Sequence, residues 1–297
     1  MKKILLSFSA LIAMLATTAT FSACSSDDEQ QSTATMIINA SKGEYRSGTR
    51  TISLDGNKAI VTTWKTTDNV FVFKEGWTSQ IGTLKPNADS NNNITKLTGD
   101  ISSNGLNVGD NLEFIMPRNT WDYTGQDGTI GTISSNYDYG IARVQVTFFD
   151  QNNKVYGTTA EFKTQQAIVK YKLYYMDDAN KKELNATSLT IVSEQGKLVR
   201  SRSLDGKDVV YGGLEVTPAS PTNVFYVALR NDYDQPEKFT LTAKVVNNNA
   251  TTIYTSASTS AHQYPFTSYK SHEVVMSLYD DTYTERDTYQ GKVEETW

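Results

Sequence analysis

The chain is poor in the residues that catalytic and metal sites most often use. Its 297 residues include one cysteine, Cys24, and two histidines, His262 and His272. A single thiol excludes an internal disulfide and a cysteine-based zinc cluster. Neither histidine belongs to an H-x-x-x-H pair or lies near a G-x-S-x-G elbow, and no Walker loop or G-x-G-x-x-G run is present. A nucleophilic triad therefore has little to draw on, and His272, beside Val274 and Val275, reads as a strand-edge residue. Basic charge is also short: 28 Lys+Arg against 33 Asp+Glu leave a net charge of -5. A nucleic-acid binder needs a basic face, so that class of partner is excluded. Beyond the N-terminus no stretch of about 18 apolar residues occurs, and no internal repeat is visible. Asp89, Asn91, Asn93 and Asp100 have calcium-loop spacing, but Ile94 stands where the sharp turn needs glycine and no glutamate closes the loop. Neither a metal, nor a cofactor, nor an enzyme is expected.

The first 23 residues read as an address rather than as structure. Met1-Lys2-Lys3 is a basic start, residues 4–16 are an apolar run too short to span a bilayer, and Phe21-Ser22-Ala23 places small residues before Cys24. This resembles a lipoprotein signal peptide with Phe21 in place of the usual leucine. The resemblance implies that Cys24 is lipidated and begins the mature chain. Ser25 follows it, and Ser26-Asp27-Asp28-Glu29 resembles the acidic stretch by which Bacteroidetes send lipoproteins to the cell surface. Residues 24–32 are then an acidic tether. Loss of residues 1–23 removes Lys2 and Lys3 and no acid, taking the charge from -5 to -7. That charge describes a solvated surface, and the resemblances imply that the lipid holds the protein to the outer membrane, exposed at the cell surface.

From residue 33 onward the dominant period is two. Val144, Val146 and Phe148 alternate with Arg143, Gln145 and Thr147; Val169, Tyr171, Leu173 and Tyr175 alternate with Lys170, Lys172 and Tyr174; Phe239, Leu241, Ala243 and Val245 alternate with Thr240, Thr242 and Lys244. These are half-buried strands. Residues 70–73, 112–116, 224–229 and 274–278 are short, nearly continuous apolar runs, which predicts strands covered on both faces. Asp55-Gly56-Asn57, Gly125-Gln126-Asp127-Gly128 and Asp205-Gly206-Lys207 are among the turns between strands. No long amphipathic helix is predicted. The expectation is an all-β chain of two tandem antiparallel β-sandwich domains. The polar break Gly157-Thr158-Thr159 divides it into an N-terminal domain over 33–158 and a C-terminal domain over 159–297. A break at the proline-containing residues 217–221 would leave too short a second piece.

Seventeen tyrosines and four tryptophans are enough for a sugar-stacking platform. Trp64, Trp77, Trp121, Trp297 and the Tyr137-Asp138-Tyr139 cluster are its candidates, although such residues also suit strands and their edges. They leave open an alternative function, a glycan-binding surface lipoprotein serving carbohydrate uptake.

Met36-Ile37-Ile38-Asn39-Ala40 is a short apolar segment behind the acidic tether. Arg50-Thr51 follows, then Trp64 with Asp68-Asn69-Val70-Phe71-Val72-Phe73. Later come Thr159-Ala160-Glu161-Phe162-Lys163 leading into Ala167-Ile168-Val169-Lys170-Tyr171, then Phe225-Tyr226-Val227-Ala228-Leu229, then Ser268-Tyr269-Lys270. In this order, over most of the chain, these segments resemble the fimbrillins, the subunits of Bacteroidetes type V pili. Asn69 departs from that pattern, where Gly-Asp or Asp-Lys often precedes the strand. The resemblance implies transthyretin-like β-sandwiches and assembly by protease-triggered strand exchange. A trypsin-like or arginine-specific protease cuts after an arginine in the loop behind the first strand, and a strand from another subunit fills the groove left open. Here the removed strand is the one holding Met36, Ile37 and Ile38. The cut falls after Arg50 or Arg46, in a segment made pliant by Gly43, Ser47 and Gly48, and Arg50-Thr51 fits the pattern better. The implied partners are other fimbrial subunits or copies of the chain, with a host or bacterial surface ligand left open, and the implied location is the fimbrium. Residues 280–297 would extend roughly 59 Å at about 3.3 Å per residue, enough for a donor strand. Glu285, Asp287 and Glu295 interrupt the face that Tyr283, Tyr289, Val293 and Trp297 would form. That favours an accessory, tip or anchor subunit over a stalk subunit, the other reading being a polar tail.

Overall fold

A computed structural model describes residues 33–41, 51–54, 60–77, 79–88, 94–177, 180–230, 232, 238–247, 250–257, 269–279 and 293–295. Its first half holds β1 (Thr33–Ser41), β2 (Thr51–Leu54), β3 (Ile60–Thr63), β4 (Val70–Lys74), β5 (Gln80–Ala88), β6 (Ile94–Ser102), β7 (Asn111–Met116), β8 (Trp121–Asp122), β9 (Gly140–Phe149), β10 (Lys154–Gly157), β11 (Ala160–Glu161) and β12 (Lys163–Thr164). The second half holds β13 (Ala167–Asp177), β14 (Asn180–Glu183), β15 (Ser188–Ser193), β16 (Val199–Arg202), β17 (Val209–Tyr211), β18 (Leu214–Val216), β19 (Val224–Leu229), β20 (Phe239–Asn247), β21 (Ala250–Ala257), β22 (Tyr269–Tyr279) and β23 (Val293–Glu295). Among the described residues the helical content is one short turn, α1 (Ile130–Thr132), continued by a π-turn over Ile133–Tyr137. The chain is all-β, as the period of two requires.

The expected sandwich in the first half is replaced by a closed ring. The strands run in the order β10-β1-β6-β5-β4-β7-β9, and β9 pairs back onto β10, closing a seven-stranded barrel. Closure removes the open edges that two facing sheets would leave. The seam depends on a parallel contact between β1 and β10, Thr35 to Lys154 through Ile37 to Tyr156. Short β11 and β12 dock at the same end, β11 on β1 and β12 on β9. The changeover to the second sheet therefore lies between Thr164 and Ala167, a few residues beyond the polar break at 157–159.

The second sheet runs β14-β13-β22-β21-β20-β15-β18, with β19 also on β13 and β23 also on β22. His272, expected at a strand edge, lies inside β22 with β13 on one side and β23 on the other. Val293, Glu294 and Glu295, from the segment weighed as a donor strand or polar tail, form β23 against β22 of their own chain.

The apolar runs at 70–73 and 112–116 are explained by two cores that share a wall. Val70 and Val72 of β4, with Leu112, Phe114 and Met116 of β7, fill the first barrel. Phe73 and Ile115 point the other way and join the core of the second half. Strand periodicity thus assigns alternate apolar residues to different cores, while Glu113, on the same side of β7 as Ile115, is held by Gly76 N and Arg143 Nη2.

Candidate functional site

Two places hold the residues that sequence reasoning singled out. The first is the position of β1 in the barrel wall. Its antiparallel ladder with β6 runs from Thr33 opposite Ser102 to Asn39 opposite Lys96, and its other edge lies along β10 and β11. Ala34, Met36 and Ile38 are buried among the first core, while Thr35 and Ile37 face outward and are half-buried. The barrel closes tightly over this strand. A Cβ on Gly157 of β10 would stand 2.6 Å from Val144 Cγ1 and 2.9 Å from Ile38 Cδ1, so that neighbour is reduced to backbone and Ile38 fills the space. Outside, Thr35 Oγ1 donates to Asp100 Oδ1 at 2.9 Å. Arg46 and Arg50, the expected cut sites, and Cys24, the expected lipidation site, lie outside the described residues. The chain positions of the arginines are still informative: β1 ends at Ser41 and β2 begins at Thr51.

The second place is a joint between the halves. β7 and β9 are hydrogen-bonded neighbours, with Met116 opposite Gly140. A hairpin turn of two to five residues commonly joins such strands. Here residues 117–139 make a long excursion, and Trp121, Tyr123, Ile133, Tyr137 and Tyr139 end up in the core of the second half. β8, within the excursion, pairs with β16, placing Trp121 opposite Arg202. Trp121 stacks on Tyr139, centroids 5.3 Å apart and planes 16° from parallel, and the Arg230 and Arg202 guanidinium carbons lie 5.1 and 5.8 Å from the Trp121 ring.

Arg230 organises this joint. It is buried, its Nε donates to Asp232 Oδ1 at 3.1 Å, and its Nη1 donates to the Gln165 carbonyl at 3.2 Å. Arg202 also reaches Asp232, at 3.8 Å. Gln166, fully buried in the connection between the halves, accepts from Tyr139 N at 3.0 Å and donates to Asp138 Oδ1 at 2.6 Å. The excursion, the connection and the end of β19 are therefore tied through one cation and two amides.

Burial sets the ionisation of the tyrosines. Tyr139 donates to Asp122 O and accepts from Asp122 N, both at 2.9 Å, and burial pushes its pKa up from 10.0 to about 12. Burial also raises Tyr123, with the Arg230 guanidinium pulling in the opposite direction. A phenol whose folded pKa lies above its unfolded value contributes its full stability below the unfolded value of 10.0 and loses it as pH rises toward about 12. Alkaline titration is therefore expected to leave stability level to about pH 10 and then lower it, by about 2–3 kcal/mol at pH 12 from Tyr139 alone. Tyr139→Phe should flatten that decline in a urea series read at several pH values; an unchanged slope would contradict the assignment.

The sugar platform is not assembled from its expected parts. Trp64 and Trp121 are buried, and so are Tyr137, Asp138 and Tyr139. Trp77 is half-buried and packs edge-on against Phe73, centroids 5.1 Å apart. Trp297 lies outside the described residues. Of the four residues with calcium-loop spacing, Asp89, Asn91 and Asn93 lie outside the described residues, and Asp100 is on β6. No group of three or more His, Cys, Asp or Glu side chains stands together as a metal site among the described residues. Sequence reasoning missed Gln126, Gln165, Gln166 and Arg230. The available signal was the aromatic-rich interval between the runs at 112–116 and 144–148, too long for a simple hairpin.

No family model matches the chain, and a search of curated proteins also finds no match. Solved structures named "putative cell adhesion protein" are similar at a low level. One from Bacteroides uniformis is 9% identical, with a TM-score of 0.41 over 89% of this chain and 97% of that one. One from Bacteroides fragilis is 10% identical, with a TM-score of 0.40 over 86% and 100%. One from Bacteroides eggerthii is 10% identical, with a TM-score of 0.38 over 89% and 96%. At such scores the likeness carries no weight for fold or function.

Proposed function

We propose that this chain is a subunit of cell-surface fimbriae, of accessory, tip or anchor type, held to the outer membrane through lipid on Cys24 and assembled by exchange of β1. The reading combines the resemblance to fimbrillins with one carrying observation: β1 is both the first described strand and a complete stave of the barrel. It has backbone partners on both edges and Ala34, Met36 and Ile38 in the core. Taking it out would expose the edges of β6 and β10 and an apolar trough between them. An extended segment from another copy or another subunit, with apolar side chains at every second position, would satisfy both by β-augmentation. Arg46 and Arg50 fall between β1 and β2, so a cut there separates β1 without severing a described strand. In this reading the role is binding and assembly rather than catalysis. The burial of Trp64 and Trp121 gives the alternative, glycan binding for carbohydrate uptake, no observation in its favour.

The test compares unheated and boiled outer-membrane samples on gels, for the natural chain and for an Arg46→Ala, Arg50→Ala double variant. The expected result is a heat-labile ladder from the natural chain and its loss in the variant. Monomer in every lane would sink the proposal, and so would a ladder insensitive to both arginines.

A further inference from the structure

The second sheet is short of one strand, and the first half supplies it. Among the described residues, strand pairing leaves one edge of β18 and one edge of β19 without a strand partner, because β18 pairs there with β15 alone and β19 with β13 alone. The excursion from the first half lies between these edges. Thr217 N, just beyond β18, donates to Gln126 O at 3.0 Å, and Tyr226 N of β19 donates to Gly128 O at 2.8 Å. The Gln126 side chain continues along β19 as a backbone group would. Its Oε1 accepts from Ala228 N at 2.8 Å, and its Nε2 donates to Ala228 O at 2.9 Å. The same Nε2 also donates to Tyr123 O at 2.9 Å, fixing the segment's own curve.

The amides used are the ones a ladder strand would use. In β19, Phe225, Val227 and Leu229 alternate with Tyr226 and Ala228 along the register with β13, so the groups that turn away from β13 are those the excursion takes up. Fit as well as hydrogen bonding is involved. Gly128 has φ +76°, and a Cβ there would lie 3.1 Å from Phe225 Cδ1 and 3.3 Å from Val216 Cγ1. Gly128 thus sits close against both strands, and a Cβ there would crowd a side chain of β19 and one of β18 in a backbone conformation that favours glycine.

We infer that the second half contains a strand-accepting slot between β18 and β19, and that its occupant is the segment Tyr123 to Thr129 of the same chain. The second half is then complete only in cis, and is not an autonomous unit from residue 159. Together with the reading of β1 under the proposed function, this leaves each subunit a single slot that processing can open, as a linear assembly requires. The slot itself does not depend on that reading.

Hydrogen exchange on the full, unprocessed chain tests it, comparing Gln126→Ala and Gly128→Ala with Gly131→Ala. Gly131 is in the same excursion, but a Cβ there would meet nothing within 4 Å. The expected result is that the amides of Thr217, Tyr226 and Ala228 exchange about tenfold faster or more in the first two variants, while those of Ile37 and Thr98 in the barrel are unchanged. Gly131→Ala should match the natural chain. A second measurement serves if those variants unfold the second half outright. A synthetic peptide covering residues 119–139 is added to the Gly128→Ala chain, and it should restore slow exchange at Tyr226 and Ala228. The inference is overturned if those amides keep their natural protection in both variants, if protection falls equally in the barrel, or if the peptide restores nothing to an opened second half.

Discussion

Replacing Met36 and Ile38 together by alanine is expected to remove most of the stability of the first barrel. Both side chains are fully buried on the inward face of β1, among Leu97, Phe114 and Val144. Emptying such a position costs about 2–5 kcal/mol, from lost transfer energy plus the cavity left behind. Two on one strand share a cavity and so need not add, yet about 4 kcal/mol or more is a large part of the roughly 5–15 kcal/mol that holds a domain folded. Ile37→Ala, on the outward and half-buried face, should cost about 1 kcal/mol or less. Urea unfolding of the three variants reads the contrast. Equal losses for the inward and outward positions would mean that β1 lies on the barrel rather than in it, and the slot proposed for assembly would have no apolar floor.

Arg230→Met is expected to be the most costly single change at the joint, about 3 kcal/mol, at the lower end of the range for breaking a buried ion pair. The methionine replaces much of the volume but removes the Arg230 donors from Asp232 Oδ1 and the Gln165 carbonyl, leaving Asp232 with Tyr211 Oη at 3.4 Å. Arg202, 3.8 Å from the same carboxylate, offsets part of the loss and places the figure low in the range. Asp232→Asn in the Arg230→Met background should recover stability, since the unpaired charge is then gone. Failure to recover would show that Asp232 is adequately served by Arg202 and solvent. Arg230→Lys should behave much like the methionine variant, because an ammonium cannot reach Asp232 and Gln165 in the fork geometry of a guanidinium.

Much of the fold was legible as local pattern. The alternation around Val144, Val169 and Phe239 became β9, β13 and β20, and the continuous runs at 70–73 and 112–116 became β4 and β7, covered on both sides. A period of two tells which residues share a face, but not whether a sheet closes on itself. Closure of the first half depends on the three-residue parallel contact of β1 with β10, between residues more than a hundred positions apart in sequence, and no local signal carries that pairing. The joint was hidden for a related reason. Gly125-Gln126-Asp127-Gly128 has turn chemistry, and it does turn, but it also lies against β18 and β19 from the other half of the chain. Trp121 and Tyr139 have the composition of an exposed platform, and only tertiary packing turns them inward beneath Arg230. The β1 segment was legible because its apolar side chains follow an acidic stretch, whereas Cys24, Arg46 and Arg50 stand as the sequence alone presents them.

The central claim is that β1 leaves and a strand from elsewhere takes its place. Intact mass and N-terminal sequencing of the protein sheared from native cells test it most directly. The account predicts a chain beginning at Thr51 or Ser47, lacking Met36, Ile37 and Ile38. A chain that begins at a lipid-bearing Cys24 and still holds β1 would contradict it, because the barrel would then never have been opened.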